Sequence, residues 1–464
     1  MPDTVPAPIV AGLEALGEAL ADWGRRHRDA PLATQEAGVL ALVRAALPTL
    51  LAAVVQGSTT AMAPEQQRQR QPCPGCGTRR RPRRQWRRRT VQTVCGPLHY
   101  ERPYYWCSAC RHGWCPADQT LAVPPRARLS AGLTAWLAEL GAGATFAPAA
   151  ALLERLTGLR VSDETVRQQA ERQGAEHEAA QQAAIGHVQA TQEAAEPVSA
   201  APGLLVVQAD GVLVRYADGF HEVKVGLVAG WEGGRLVAPS YVAAREPAAA
   251  FGPRLLAEAA RRGALDVVGW EGPRTTPGLA VLRRVVVLGD GAPWIWHLAA
   301  EYFGDRIEIV DWYHASQHLW ALAHALYGTG TEAAQRWVTA RLQELAEHGA
   351  AAVLQAFRKL RPTTAAGREA LRVERGYFRT NEARMDYPRF RAAGWPIGSG
   401  AVESAARHLV QLRLKRPGAR WSAAGGQAIL ALRAQLLSRP TRPTRSGEAR
   451  RRRRSRAAAV ALVA

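Results

Sequence analysis

The sequence lacks the features of a secreted or membrane protein. No stretch reaches the run of about 18 consecutive apolar residues that crosses a bilayer. The N-terminus also lacks a basic segment followed by an apolar core, which a secretion signal would contain. From these absences we expect a cytoplasmic protein with no membrane partner.

Cysteine is absent outside one short segment. All six cysteines lie between Cys73 and Cys115, and in a reducing compartment so tight a cluster indicates a metal rather than disulfides. Two C-x-x-C pairs, Cys73 with Cys76 and Cys107 with Cys110, flank a segment that alternates like a β-hairpin. Four thiolates close a tetrahedral structural site. We therefore predict a zinc ribbon, with Cys115 and the remaining Cys95 left over as small buried residues.

Acidic residues are missing from two segments that are dense in arginine. Gln66 to Thr90 contains ten arginines and no acid, and Thr441 to Ala464 contains eight arginines and one glutamate. These segments contribute +10 and +7 to a net charge of +20. Such a distribution favours a polyanionic partner, with nucleic acid first. The C-terminal run taken alone fits a solvated, disordered tail equally well.

Two apolar, β-branched stretches end in an aspartate followed by glycine. Leu204 to Val214 contains Asp210 after a run typical of a buried strand, and Asp290 follows the run Val-Val-Val-Leu-Gly in the same way. We expect both acids at the ends of neighbouring strands, where carboxylates this close need a cation between them. Asp218, in Ala-Asp-Gly between two strand patterns, is better interpreted as a hairpin turn residue.

A third acid, Glu403, lies in Gly-Ser-Gly-Ala-Val-Glu-Ser. Ser399 is a plausible helix cap, which places Glu403 in the first turn of the helix. Three acids from two strands and a helix indicate the ribonuclease-H-like arrangement. We therefore expect an α/β fold with a ribonuclease-H-like mixed sheet and an all-α insertion, preceded by a zinc ribbon and helical DNA-binding segments.

Four motifs resemble those of bacterial insertion-sequence transposases of the ISKra type: QADGV, LGDGAPWIW, VDWYHASQHL and IGSGAVES followed by RWS. The resemblance is strong in the second half of the chain and fair in the zinc segment. It implies a DDE triad of Asp210, Asp290 and Glu403 that holds two Mg²⁺ or Mn²⁺ ions and cuts and joins DNA. It also implies binding to transposon ends and target DNA as a homo-oligomer, in a bacterial cytoplasm on the nucleoid.

The segment Asp311-Trp-Tyr-His314 resembles the D-x-x-H element of Mutator-related transposases. These two residues are expected to support a catalytic carboxylate or to touch the DNA backbone, outside the triad itself. A capping acid and a satisfied core histidine explain the pattern about as well.

Two further segments are candidates for DNA contacts. A helix ending at Gly158 and a new helix capped by Ser162 fit a helix-turn-helix, although a plain helical hairpin fits nearly as well. Acids at the tip of the second helix would repel phosphate. Basic residues also follow Glu403. The residues expected to face DNA are Thr165, Arg167, Gln168, Arg172, Arg407, Arg413, Lys415, Arg416 and Arg420.

The length of 464 residues exceeds a single core, so several domains are expected. We predict an N-terminal helical region (1–66), the zinc ribbon (67–120), the helix-turn-helix with a helical connector (121–200), the catalytic domain (201–440, with the insertion at 316–395) and a basic tail (441–464). Two other functions stay open. One is a ribonuclease-H-like nuclease or resolvase without strand transfer, and the other is a zinc-containing DNA-binding regulator whose acids are structural.

Overall fold

The computed structural model describes residues 6–59, 69–83, 86–194, 204–265 and 285–439. The chain divides into two compact units between Ala170 and Glu171. The expected basic tail at 441–464 lies outside the described residues, as does the end of the expected connector.

The first unit begins with two helices, α1 (Ala7–Arg26) and α2 (Leu32–Ser58), as the leucine and alanine spacing predicts. Short strands follow in three antiparallel hairpins. They are β1 (Gln71–Pro72), β2 (Arg79–Arg80), β3 (Arg87–Thr93), β4 (Gly96–Arg102), β5 (Tyr105–Cys107) and β6 (His112–Trp114). Val55 of α2 packs with Val91 and Leu98 of the longest hairpin in one small core.

Three helices and the start of a fourth complete this unit. They are α3 (Pro116–Thr120), α4 (Ala131–Gly143), α5 (Phe146–Thr157) and the beginning of α6 (Asp163–Thr191). Leu137 of α4, Leu153 of α5 and Val166 of α6 share one core. α6 is a single helix of 29 residues, so the second helix of the expected helix-turn-helix continues into the expected connector without a break.

α2 departs from the expectation that no stretch is long and apolar enough to cross a membrane. Its segment Leu32–Gly57 has a mean hydropathy of 2.1 and qualifies by length and composition, the one such helix in the described residues. The sequence prediction counted unbroken apolar runs, which Arg44 and Pro48 interrupt, whereas the mean over the helix stays high. A single helix of this kind is weak evidence for a membrane, because core helices and signal sequences share its composition.

The second unit contains a five-stranded mixed sheet in the order β11-β10-β7-β8-β9. β7 (Leu205–Tyr216), β8 (Gly219–Glu232) and β9 (Arg235–Ala244) form an antiparallel meander. β10 (Val285–Gly289) pairs parallel to β7, and β11 (Arg306–Val310) pairs parallel to β10. The expectation of an α/β fold with a mixed sheet is confirmed at this level.

Two strand predictions were wrong in detail. β7 does not end at Asp210 and Gly211 but continues to Tyr216, because its second half pairs with β8 throughout. Gly211 lies within the strand, directly beside the Glu222 side chain. A Cβ at position 211 would lie 2.0 Å from Glu222 Oε1. Three antiparallel strands are expected at the start of the sheet and three are present, but the third was expected within β8. The segment of β9 was missed because Ala-Pro-Ser at its centre breaks the apolar pattern.

The connections after β9 and β10 and the insertion after β11 are helical. α7 (Ala248–Arg261) and α8 (Pro293–Tyr302) follow β9 and β10. The expected all-α insertion consists of α9 (Trp312–Tyr327), α10 (Glu332–His348), α11 (Ala350–Lys359), α12 (Ala365–Thr380), a 3-10 turn (Glu382–Met385) and α13 (Tyr387–Ala392). The chain then forms α14 (Gly400–Ala405), a π-helical segment (Ala406–Gln411), α15 (Leu412–Leu414) and α16 (Ala423–Ser438).

A buried arginine joins α6 to α7 within the second unit. Arg254, 1% exposed, donates to Glu178 Oε1 at 2.7 Å and to Glu246 Oε1 at 2.8 Å. Both acids are themselves mostly buried. A charged group in such a place is stable only while its partners stay in position.

Replacing Arg254 by Met should lower the free energy of unfolding by about 3–5 kcal/mol, because two largely buried carboxylates lose their counter-charge. Denaturant unfolding measures the change. Arg372→Met, which breaks the exposed pair with Glu369, should leave stability unchanged. Equal stability of the two variants would contradict a structural role for the Arg254 network.

Candidate functional site

The strand register brings three aspartates to the same level of the sheet. Leu288 of β10 lies opposite Gln208 of β7, so Asp290, two residues further on, lies level with Asp210. Gly289 lies opposite Val310 of β11, which places Asp290 level with Asp311. The Asp311 amide donates to Gly289 O at 2.8 Å and extends this ladder. Since adjacent strands are about 4.8 Å apart, the three acids form a row.

Asp210 lies where β7 loses one neighbour rather than at a strand end. β10 stops at Gly289, so beyond that level β7 pairs only with β8. Burial, chiefly, and the charges of Asp290 and Glu403 raise the pKa of Asp210 to about 6, although the Gly211 amide and His314 act in the opposite direction. The two predicted partners are thus close enough to repel the Asp210 carboxylate.

Glu403 is in the first turn of α14, as predicted, and its carboxylate is exposed. This helix and the turn after it are anchored by a fully buried apolar stripe of Val402, Ala406, Leu409 and Val410. Ser399 is the N-cap by position, but its hydroxyl donates to Glu403 Oε1 at 3.3 Å instead of capping the helix. A π-helical segment follows at once, a distortion often found at functional sites.

Two buried side chains fix the start of this helix against the sheet. Gln208, two residues before Asp210 on β7, accepts a hydrogen bond from the Val402 amide at 3.0 Å. Asp311, which is fully buried, accepts from the Ser399 amide through Oδ2 and from the His314 amide through Oδ1, the latter at 2.7 Å. The helix acid is therefore held in place by the strands that carry the other acids.

Asp311 and His314 lie at the site itself. Ligand atoms of Asp311, His314 and Glu403 all lie within 4.8 Å of one another. Asp311 also caps α9, as the alternative explanation of this motif, a capping acid, predicts. His314 is half-buried, and it lies close enough to Asp210 to act against the rise in the pKa of that acid. These four groups include both the oxygen and the nitrogen donors that divalent metals use.

The helical insertion contributes a residue that sequence reasoning missed. Tyr377 of α12 donates from its hydroxyl to Asp290 O at 2.8 Å and stacks on His318 with ring centroids 3.6 Å apart. His318 in turn contacts Glu374 at 2.6 Å. Gly291 has φ +101°, and a Cβ there would lie 2.7 Å from the Tyr377 ring. The Asp-Gly pair therefore serves a close approach as well as a turn.

Cys73, Cys76, Cys107 and Cys110 form a second group, with all four sulfur atoms within 4.8 Å of one another. Cys73 Sγ lies 3.4 Å from Cys110 Sγ, and Cys76 Sγ lies 3.5 Å from Cys107 Sγ. Zn–S bonds of about 2.3 Å place sulfurs at tetrahedral corners about 3.8 Å apart, so this donor set fits zinc. The two surplus cysteines lie outside the group: Cys115 is buried and Cys95 half-buried.

The two helices on either side of Gly158 have the predicted ends, which fit a helix-turn-helix and a plain helical hairpin alike. α5 ends at Gly158 with φ +78°, and Ser162 Oγ accepts from the Thr165 amide at 3.1 Å. Glu164 binds both Arg167, at 2.6 Å, and Gln168, at 2.8 Å. These contacts lower the pKa of Glu164 to about 2, so any DNA contact of the two side chains competes with this acid.

The basic residues after Glu403 divide into two groups. Arg407, Lys415, Arg416 and Arg420 are exposed, and so is Arg172 of α6. Arg413 is 2% exposed and lies over the Trp421 ring at 4.8 Å. The prediction that Arg413 faces DNA is therefore wrong in this conformation, because the π-helical segment shifts the face that the helix turns inward.

Residues 77–239 are similar to the family described as "Uncharacterised protein family (UPF0236)". This stretch includes Asp210 and two of the four clustered cysteines, Cys107 and Cys110, but neither Asp290 nor Glu403. No curated protein matches the chain.

The raised pKa of Asp210 predicts that the stability of the protein depends on pH. Because its pKa is raised to about 6, the folded protein holds the proton more tightly than the unfolded chain, and stability falls as pH rises from about 4 to about 6. Asp210→Asn removes this cost. In the metal-depleted protein it should raise the free energy of unfolding at pH 7.5 by about 1–2 kcal/mol, less than the full shift implies because the group is partly solvated.

At pH 4 the same variant and the wild type should be nearly equal in stability. Asp218→Asn is the control with the opposite sign, since Arg245 lowers the pKa of that exposed turn residue. Urea unfolding at the two pH values measures both. An Asp210→Asn protein that is less stable than wild type at pH 7.5 would contradict the crowding of the acids.

Proposed function

We propose that the protein is a DDE transposase, which cuts and joins DNA with divalent metal ions held by Asp210, Asp290 and Glu403. The observation that carries this proposal is the placement of Asp210 level with Asp290 in the sheet, with Glu403 near enough to add to the raised pKa of Asp210. The three carboxylates come from positions up to 193 residues apart in the chain. Holding them close together costs free energy unless cations neutralise their charge. The motif resemblance to ISKra-type transposases supports the same assignment.

The sheet supports a ribonuclease-H-like assignment for this unit. Three antiparallel strands are followed by two parallel strands on the other side of β7, and the acids lie on β7, after β10 and on the helix that follows the insertion. Both features support the ribonuclease-H-like proposal.

In this proposal each residue has a distinct task. Asp210 is close enough to Asp290 and Glu403 to be affected by both charges and would contact both ions, while Asp290 and Glu403 would each hold one. Two such ions supply activation of a water or a 3′-hydroxyl and stabilisation of the departing oxygen. Gln208 and Asp311 hold the start of the Glu403 helix against the strands. Tyr377 holds the backbone of Asp290 through its hydrogen bond to the Asp290 carbonyl.

DNA binding is proposed for several exposed basic surfaces. Four exposed basic residues that follow Glu403 along the chain would bind phosphates beside the cleaved bond: Arg407, Lys415, Arg416 and Arg420. Thr165, Arg167, Gln168 and Arg172 on α6 would select the transposon ends. We also propose that the four clustered cysteines hold a structural zinc ion next to the arginine-rich strands.

Asp210→Asn should abolish Mg²⁺-dependent cleavage, because the acid shared by both ions is lost, while DNA binding stays intact. The substrate is duplex DNA carrying the sequences that flank the gene, assayed for nicking and, with pre-cut ends, for strand transfer. Asp218→Asn is the matched control and should remain active.

Each alternative gives a different pattern in this assay. Cleavage without strand transfer would identify a nuclease or resolvase. Binding without metal-dependent nicking would identify a regulator with structural acids. Full cleavage by Asp210→Asn in Mg²⁺ would remove the assignment of the site.

Cys107→Ser should reduce bound zinc from about one ion per chain to a small fraction, because the tetrahedral site loses a thiolate. Cys95→Ser removes a cysteine outside the group and should retain the metal. Elemental analysis of the purified proteins gives the stoichiometry. Zinc retained in Cys107→Ser, or lost in Cys95→Ser, would contradict the proposed ligand set.

A further inference from the structure

Glu403 has neighbours that the triad does not use. The group within 4.8 Å consists of Asp311, His314 and Glu403, whereas the sequence motifs pair Glu403 with the two strand acids. His314 is also close to Asp210. An ion at Glu403 would therefore lie beside an imidazole as well as beside carboxylates.

We propose that His314, with Asp311 and Glu403, forms a mixed nitrogen and oxygen site that favours Mn²⁺ over Mg²⁺. This inference rests on the proposed function and specifies the ion bound at Glu403. Mg²⁺ strongly prefers oxygen ligands in a regular octahedron. A neutral imidazole instead favours transition ions, among which Mn²⁺ also accepts carboxylates.

After their hydrogen bonds are counted, these side chains still have lone pairs that can bind a metal. Asp311 accepts one backbone amide on each oxygen, and a carboxylate has about four lone-pair positions. Glu403 receives one hydroxyl on Oε1. Within the described residues the His314 ring has no hydrogen-bonding partner, and its nearest aromatic neighbour is His318 with ring centroids 6.4 Å apart.

The positions of these ligands are fixed by the backbone. Asp311 caps α9, and His314 lies in the first turn of that helix, so the two side chains are held three residues apart on one helical end. Ser399 connects Asp311 to Glu403 through its amide and its hydroxyl. On one ion with bonds of about 2.2 Å, adjacent ligand atoms lie about 3.1 Å apart and opposite ones about 4.4 Å. Side-chain rotations that draw the three ligand atoms, now within 4.8 Å of one another, closer together would close the site.

The test uses the full-length protein, depleted of divalent ions and titrated with Mn²⁺ alone. Free Mn²⁺ is followed by electron paramagnetic resonance, and Mg²⁺ affinity is obtained by competition. Mn²⁺ should bind at least tenfold more tightly than Mg²⁺. The spin-echo modulation of bound Mn²⁺ should show a directly coordinated nitrogen.

His314→Gln should lower Mn²⁺ affinity by roughly tenfold or more, leave Mg²⁺ affinity within about twofold, and remove the nitrogen modulation. His348→Gln changes an exposed histidine on α10 and should alter none of these values. The wild-type spectrum gives a result even if His314→Gln does not fold.

Bound Mn²⁺ without a nitrogen ligand, or equal loss of both affinities in His314→Gln, would overturn the inference. The proposed function would survive that result if Asp210→Asn still abolished cleavage. Absence of any divalent ion binding by the wild type, at concentrations that support no cleavage either, would overturn both.

Discussion

The constraint on which the candidate site depends is the burial of the Asp210 carboxylate beside two other acids. Asp210 is largely buried, and Asp290 and Glu403 add their charge to the cost of ionising it. A fold selected only for stability would place apolar residues there. The chain instead brings three acids together from widely separated positions, and this is the physical reason for which we propose metal-dependent chemistry at the site.

The surrounding structure holds these acids in place. Gln208 and Asp311 are buried polar side chains whose hydrogen bonds go to the backbone at the start of α14 rather than to each other. Tyr377 reaches the Asp290 carbonyl from the helical insertion. The insertion therefore helps to build the site, in addition to any role in contacting DNA. Rigid support of this kind is what a two-metal site needs, because small displacements of a ligand change the ion geometry.

Sequence patterns placed Asp290 directly after its strand and Glu403 in the first turn of its helix because these signals are local. The β-branched runs before Asp210 and Asp290 and the Gly-Ser-Gly before Glu403 each fix a residue within one element. The extent of β7 and the existence of β9 were harder to predict, because both depend on pairing with β8. Gln208 and Tyr377 could not be assigned, since a glutamine in a strand and a tyrosine in a helix carry no signal until their partners are known. Arg413 was misassigned because an unrecognised π-helical segment changes the buried face.

Anomalous diffraction from crystals grown with Mn²⁺ tests the central claim most directly. The account predicts two anomalous peaks about 3.5–4 Å apart, with Asp210 oxygens in contact with both and with Asp290 and Glu403 on opposite sides. Peaks only at the cysteine cluster, or carboxylates of these three residues pointing away from one another, would contradict it.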